Sequence, residues 1–210
     1  MDKEAVEKIE SMLENSEERN FIQTVDLIIN LGDIDLKDPE NRFSTDVVLP
    51  NGRGKKRNVC VIADAKITQA KKLDVNVISK DDLEELEGKR DKAKEIADKN
   101  DYFLGEAPLM PKIGQVLGPV LGPRGKMPNP FPPGADLKKV LGKSQNAITI
   151  KIREDKTLHF PVGTENMSSE EIKENADAVV EKIGSNLPKG SQQIDSVYIK
   201  LTMSKPERLI

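Results

Sequence analysis

The chain has 210 residues, 36% of them hydrophobic and 33% charged, with a formal net charge of −3 at pH 7. That length fits one large or two small domains, and charge of mixed sign argues against wholesale disorder. No apolar run approaches the roughly 18 residues of a membrane span. A single cysteine, Cys60, and a single histidine, His159, exclude a disulfide framework or a Cys/His zinc cluster within one chain. The start, Met1-Asp-Lys-Glu-Ala-Val-Glu-Lys, lacks the apolar core of a signal peptide, so the cytoplasm is the expected compartment.

The charge is segregated. Residues 1–48 carry 5 Lys/Arg against 13 Asp/Glu, whereas residues 108–156 carry 9 against 3. A basic block inside an acidic chain suits a polyanion contact confined to part of the surface; plain solvation of a small protein explains it equally well.

In chain order, residues 4–19 read as an amphipathic helix with Val6, Ile9 and Leu13 on one face. Phe21–Leu31 reads as a long strand and Arg42–Leu49 as a second, ending at Pro50-Asn51-Gly52. The style then changes. Val59–Ala63 is continuously apolar, as in a strand covered on both faces. A helix near 65–73, a strand at Val75–Ile78, helices near 80–99 and a strand at Tyr102–Leu104 follow, which means βαβ units and a parallel sheet. Residues 105–134 hold 6 of the 14 Gly and 8 of the 13 Pro and read as a long loop. A helix resumes at Asp136–Leu141. Ala147–Arg153 alternates as a half-buried strand, and Thr157–Val162 reads as its returning hairpin arm. Ser168 with Glu171 forms a capping box that opens a helix striped by Ile172, Ala176, Val179, Val180 and Ile183. The last strand, Ser196–Met203, sets Val197, Ile199 and Leu201 against Ser196, Tyr198, Lys200 and Thr202.

These styles predict an α+β/α/β protein of two domains. Residues 1–51 and 145–210 build a split β-α-β domain with an antiparallel sheet, and residues 52–144 form an inserted Rossmann-like parallel α/β domain. Two crossings between domains would act as a hinge.

Catalytic chemistry finds no foothold. Gly142-Lys143-Ser144 lacks the earlier glycine of a phosphate loop, since Leu137 stands there, and no G-x-G-x-x-G follows the strand at 59–63. No cofactor is implied. His159 has no partner for a triad, and Cys60 suits an inert buried thiol. Arg53-Gly-Lys-Lys-Arg57 either binds phosphate or solvates a linker. Residues 116–130 are richer: their glycines would let backbone N–H groups approach a phosphate, with Arg124 and Lys126 adding charge.

That segment, Val116-Leu-Gly-Pro…Leu121-Gly-Pro-Arg-Gly-Lys-Met-Pro-Asn-Pro130, closely resembles the signature of the L-one family, the proteins of the mobile stalk of the large ribosomal subunit. Phe21-Ile-Gln-Thr-Val25, Val48-Leu-Pro-Asn-Gly52, Leu158-His-Phe-Pro-Val-Gly163 and Ser196-Val-Tyr-Ile-Lys-Leu-Thr-Met203 agree in order. Ser204-Lys205-Pro206 after Thr-Met, where bacterial members have Gly-Pro, resembles archaeal relatives.

The resemblance implies a non-enzymatic protein on the large subunit that binds its rRNA mainly through the terminal domain. Carried over by motif, the contact surface comprises Phe21, Thr24, His159, Gly163, Ser196, Lys200, Thr202, Met203 and Ser204. Arg124, Lys126, Lys151 and Arg153 form a secondary RNA contact. Implied partners are large-subunit rRNA, exit-site tRNA and the protein's own mRNA, which it would repress, with a monomer off the ribosome. Most of these residues are neutral, so the expected reading is of RNA shape and 2′-hydroxyls, with the acidic first helix facing away. The competing reading is a nucleotide-binding or enzymatic α/β module with no RNA role.

Overall fold

The computed structural model describes all residues except Met1, Asp2, Glu18, Ala65, Lys72 and Asp74. Glu18 of the expected first helix, and Ala65 and Lys72 of the helix near 65–73, thus lie outside the described residues. The chain divides into two compact units, one of residues 1–55 and 146–210, the other of residues 56–145.

In the first unit a four-stranded antiparallel sheet is built from β1 (Thr24–Leu31), β8 (Thr157–Thr164), β9 (Ile194–Leu201) and β10 (Glu207–Arg208), in the order β10-β9-β1-β8. One face is buried. Val25, Leu27 and Ile29 of β1 share a core with Ile9 and Met12 of α1 (Lys3–Glu14) and with Ile172, Ala176, Val179 and Ile183 of α8 (Ser169–Asn186). The helices therefore cover this face, and the acidic α1 lies on the side of the sheet away from Thr24, Asp26, Ile28 and Asn30. The α8 stripe is the predicted one. Its capping box is formed, with Glu171 N donating to Ser168 Oγ at 3.2 Å and Ser168 N donating to Glu171 Oε2 at 3.0 Å. Such a cap stabilises a helix by about 1 kcal/mol.

A second, two-stranded sheet pairs β2 (Phe43–Val48) with β7 (Ala147–Ile152), and Val47, Ile148, Ile150 and Ile152 join the same core. The expected hairpin of residues 147–162 does not form. β7 takes β2 as partner and β8 takes β1. Alternation shows that a segment is a strand, but which apolar face it joins is settled by distant partners. The first strand also starts later than expected, at Thr24, because the ladders with β8 and β9 extend no further than Thr24. The first helix ends at Glu14.

The second unit carries a parallel sheet in the order β4-β3-β5-β6, from β3 (Val59–Ile62), β4 (Asn76–Ile78), β5 (Tyr102–Glu106) and β6 (Asn129–Phe131). On one face Val59, Val61, Leu104 and Phe131 pack with Leu137 and Leu141 of α7 (Leu137–Asn146) and with Ala70 of α2 (Ile67–Lys71). On the other, Cys60, Ile62 and Phe103 pack with Leu83 of α3 (Lys80–Glu85), with Ala93 and Ala97 of α4 (Arg90–Lys99), and with residues 109–121. The fold class read from sequence holds: an α+β part with antiparallel pairing and an α/β part with a parallel sheet.

The long loop is corrected. Residues 105–134 contain α5 (Met110–Val116), α6 (Gly118–Leu121) and β6. Pro111 and Pro119 stand in the first turns of the two helices, where a missing N–H costs nothing. Ile113, Leu117, Val120 and Leu121 are buried in the unit's core. Proline here starts helices instead of breaking them.

Candidate nucleic-acid interface

The face of the four-stranded sheet opposite α1 and α8 has its side chains in cross-strand rows. Antiparallel partners point to the same side, so the register fixes who sits beside whom. Thr24 and Thr202 lie at one end; Pro161, Asp26 and Lys200 follow; then His159, Ile28 and Tyr198; then Thr157, Asn30 and Ser196.

The first row closes the end of the sheet. Thr202 N donates to Thr24 O at 3.0 Å, and Thr24 N donates to Thr202 Oγ1 at 3.2 Å. Beyond it the chain turns sharply: Leu201 N donates to Ser204 Oγ at 2.8 Å and Ser204 N to Leu201 O at 3.1 Å. This turn leaves Met203 61% exposed, beside the segment in which Phe21 and Ile22 are 53% and 59% exposed. Buried Gln23 braces the arrangement. Its Oε1 accepts from Met203 N at 3.2 Å, its backbone N–H donates to Glu165 Oε1 at 2.9 Å, and its C=O accepts from Glu165 N at 3.1 Å. Exposed apolar side chains thus stand next to strand-end hydroxyls on a braced backbone, which suits packing on ribose and base with hydrogen bonding to 2′-hydroxyls.

In the second row Asp26 is half-buried, and burial pushes its carboxyl above the usual range, partly offset by the nearby Lys200 and His159. In the last row Asn30 Nδ2 donates to Ser196 Oγ at 2.9 Å and Thr157 Oγ1 donates to Asn30 Oδ1 at 2.9 Å. Ser196 is consequently buried and already bonded.

The carried-over residues therefore gather in part. Thr24, His159, Ser196, Lys200 and Thr202 share the uncovered face, and Phe21, Met203 and Ser204 sit around its Thr24 end. Gly163 does not join them. It is buried, and a Cβ there would stand 3.1 Å from Met167 Sδ and 3.2 Å from Ile172 Cγ1, so glycine lets β8 pass close under α8. Of the secondary set, Lys151 lies on β7 opposite Ser44 in the two-stranded sheet, and Arg153 is exposed just beyond that strand. Arg124 and Lys126 have structural work within their own unit. Arg124 pairs with Asp98 at 2.8 Å, and Lys126 Nζ donates to Ala97 O at 2.8 Å and Asn100 O at 2.9 Å, at the C-terminus of α4. A cation there is favoured by the helix dipole and by the carbonyls that the last turn leaves free.

Asp26, Ile28, Gln23 and Arg208 were not singled out from sequence. Period-2 alternation from Thr24 places Asp26 and Ile28 on the same face, so that signal was present; nothing local marks Gln23 or Arg208.

Among the described residues, no group of three or more His, Cys, Asp or Glu could hold a metal ion, and no helix is long and apolar enough to cross a membrane. Burial pushes the Cys60 thiol up to about 12, so no reactive thiolate forms there.

The chain thus joins one antiparallel unit, with a hydroxyl-bearing sheet face that α1 and α8 do not cover, to one parallel unit. Residues 13–205 match the model of the Ribosomal protein L1p/L10e family, and the chain belongs to that family. It is 42% identical to the large ribosomal subunit protein uL1 of Methanopyrus kandleri over 209 residues, covering 99% of this chain and 98% of the relative. The uL1 protein of Thermococcus kodakarensis is 46% identical over 200 residues, covering 94% and 93%. That of Methanothermobacter thermautotrophicus is 42% identical over 212 residues, covering all of both chains. The expected family resemblance, its archaeal flavour and a non-enzymatic role agree with these matches.

Proposed function

We propose that this protein is a component of the large ribosomal subunit in the cytoplasm and binds large-subunit rRNA through the uncovered sheet face and the Met203 end of its terminal unit. One observation carries the site assignment: eight residues carried over by motif from three separate stretches of sequence converge on one face and its end. The face is not strongly cationic. His159 and Lys200 stand against Asp26, so recognition rests on hydroxyls, exposed backbone and apolar packing more than on phosphate attraction.

The same reading extends to two finer roles. The basic loops of the insert and the turn at residues 151–156 contact exit-site tRNA at the stalk, and the sheet face binds the protein's own messenger, repressing its translation when rRNA is saturated. Off the ribosome the protein acts as a monomer. The test is direct binding of deproteinised large-subunit rRNA to the full chain by filter retention, with Thr202→Ala and Met203→Ala as site variants. Retention weakened at least tenfold by either variant supports the site, and unchanged retention overturns it.

A further inference from the structure

In the middle of the uncovered face the motif-derived contacts supply only His159. There the register lines up His159 on β8, Ile28 on β1, Tyr198 on β9 and Arg208 on β10 as direct cross-strand neighbours. With strands about 4.8 Å apart, the row runs about 15 Å across all four strands. Ile28 and Tyr198 are half-buried, His159 and Arg208 exposed. The strand bearing Arg208 is firmly placed: Leu209 N donates to Val197 O at 2.8 Å and the Leu209 side chain packs on the core. Arg208 Nε donates to Ile210 O at 2.8 Å, which holds its guanidinium near the chain end.

The neighbouring rows differ in kind. Thr157, Asn30 and Ser196 bond to one another, and Asp26 stands in register with Lys200. Between them the central row presents a phenol ring, an aliphatic side chain and an imidazole, ending in a guanidinium. A flat apolar strip with a cation at its edge matches an unpaired nucleotide, whose base has two apolar faces and whose phosphate is anionic. The strip lies on the same face as the Thr24–Thr202 end, separated from it by the Asp26–Lys200 row, and among the described residues no helix covers it.

We propose that this row is a base-stacking platform for an unpaired RNA nucleotide, with the base on the Tyr198 ring against Ile28 and the phosphate at Arg208. This rests on the reading of the face as an RNA surface and adds a stacking subsite to it. Loss of one stacked base weakens binding about tenfold or more.

The chain has two tyrosines, Tyr102 and Tyr198, and no tryptophan. Fluorotyrosine labelling of the full protein therefore gives two ¹⁹F resonances, with Tyr102 in the other unit as reference. On titration with deproteinised large-subunit rRNA or a mixed-sequence single-stranded octanucleotide, the Tyr198 resonance is expected to shift. Tyr198→Leu should weaken rRNA binding about tenfold while Tyr198→Phe binds as wild type, and Arg208→Ala should lower the salt dependence of binding by about one phosphate contact. Circular dichroism of each variant checks the fold, and the wild-type spectrum needs no variant. An unmoved Tyr198 resonance with rRNA still bound overturns the platform alone. No binding of rRNA by wild type overturns the platform and the proposed function together.

Discussion

Asn175 holds Gly52: from the middle of α8 its Nδ2 donates to the Gly52 carbonyl at 2.7 Å. The same side chain donates to Val162 O at 2.8 Å and accepts from Asn51 N at 3.0 Å. One fully buried amide thereby ties the helix, β8 and the outgoing chain together. Asn175→Leu leaves three backbone groups without this partner and is expected to cost about 2–4 kcal/mol. Asn51→Ala, which removes an exposed side chain and keeps the backbone bond, should cost under about 1 kcal/mol. Denaturant unfolding of both variants checks the contrast.

Deleting residues 56–145 should leave a folded terminal unit. Its core draws only on residues before 50 and after 147. Asn146 also lies beside the outgoing chain, since Leu49 N donates to Asn146 O at 3.1 Å and a Cβ on Gly52 would stand 3.1 Å from Asn146 Oδ1, so a Gly/Ser joint can replace the insert. The expected product unfolds cooperatively and keeps the circular-dichroism signature of helix and antiparallel sheet. A spectrum of disordered chain would show that the terminal unit depends on the insert.

Patterning in the sequence was enough for the sheet face and for α8, because alternation and the 3.6-residue stripe are local signals that burial then obeys. Val197, Ile199 and Leu201 are buried as the pattern implies. It was not enough for strand pairing, since nothing local to Thr157–Thr164 names β1 instead of β7. It failed in residues 105–134, where glycine and proline were read as loop signals although both prolines in question sit where helices begin. For the candidate site, the hydroxyls at Thr24 and Thr202 were nominated by motif resemblance, and the register sets them side by side. Gln23 was missed because a buried glutamine looks like any other polar residue until its three segments meet.

Lys126 of the insert and the strand-end residues should separate by phenotype. Lys126→Ala removes the cation from the end of α4 and should destabilise the insert by about 1 kcal/mol, leaving rRNA affinity within twofold. Thr202→Ala and Met203→Ala should do the reverse, losing affinity by about 1–3 kcal/mol with smaller losses of stability. Paired thermal unfolding and RNA retention on the three variants measures both axes. Equal affinity losses in all three would place part of the primary RNA contact on the insert.

Asp26 makes stability depend on pH in a defined direction. Its carboxyl titrates above the usual range because burial penalises the charge, so the folded state favours the protonated form. The ionised group therefore costs stability above the raised value, and that cost disappears as pH falls below the ordinary carboxylate pKa. Asp26→Asn should stabilise the protein at pH 7 by less than about 1 kcal/mol, with the gain shrinking to zero in strong acid. Because Lys200 and His159 oppose the shift, Lys200→Met should enlarge the gain. Urea unfolding at several pH values, with and without the Lys200 substitution, reads both effects.

Repression of the protein's own messenger requires that rRNA win the competition for one surface. A site that reads hydroxyls, backbone and base stacking accepts any RNA presenting the same local shape, so both RNAs should bind the terminal unit. Preference for rRNA by ten- to a hundredfold, about 1.4–2.8 kcal/mol, is enough to keep the protein on the ribosome until that RNA is used up. The basic block of residues 108–156, with 9 Lys/Arg against 3 Asp/Glu, is the source expected for this margin. Such contacts are electrostatic, so the margin should shrink as salt rises. Arg124 and Lys126 are bonded within the insert, so the exposed Lys138, Lys139 and Lys143 of α7 are the cations of that unit to test. Replacing these three by Gln should narrow the ratio of the two affinities and leave messenger binding itself unchanged. Measuring both RNAs against wild type and the triple variant at two salt concentrations decides it: an unchanged ratio removes the basic block as its source, and absence of messenger binding removes repression.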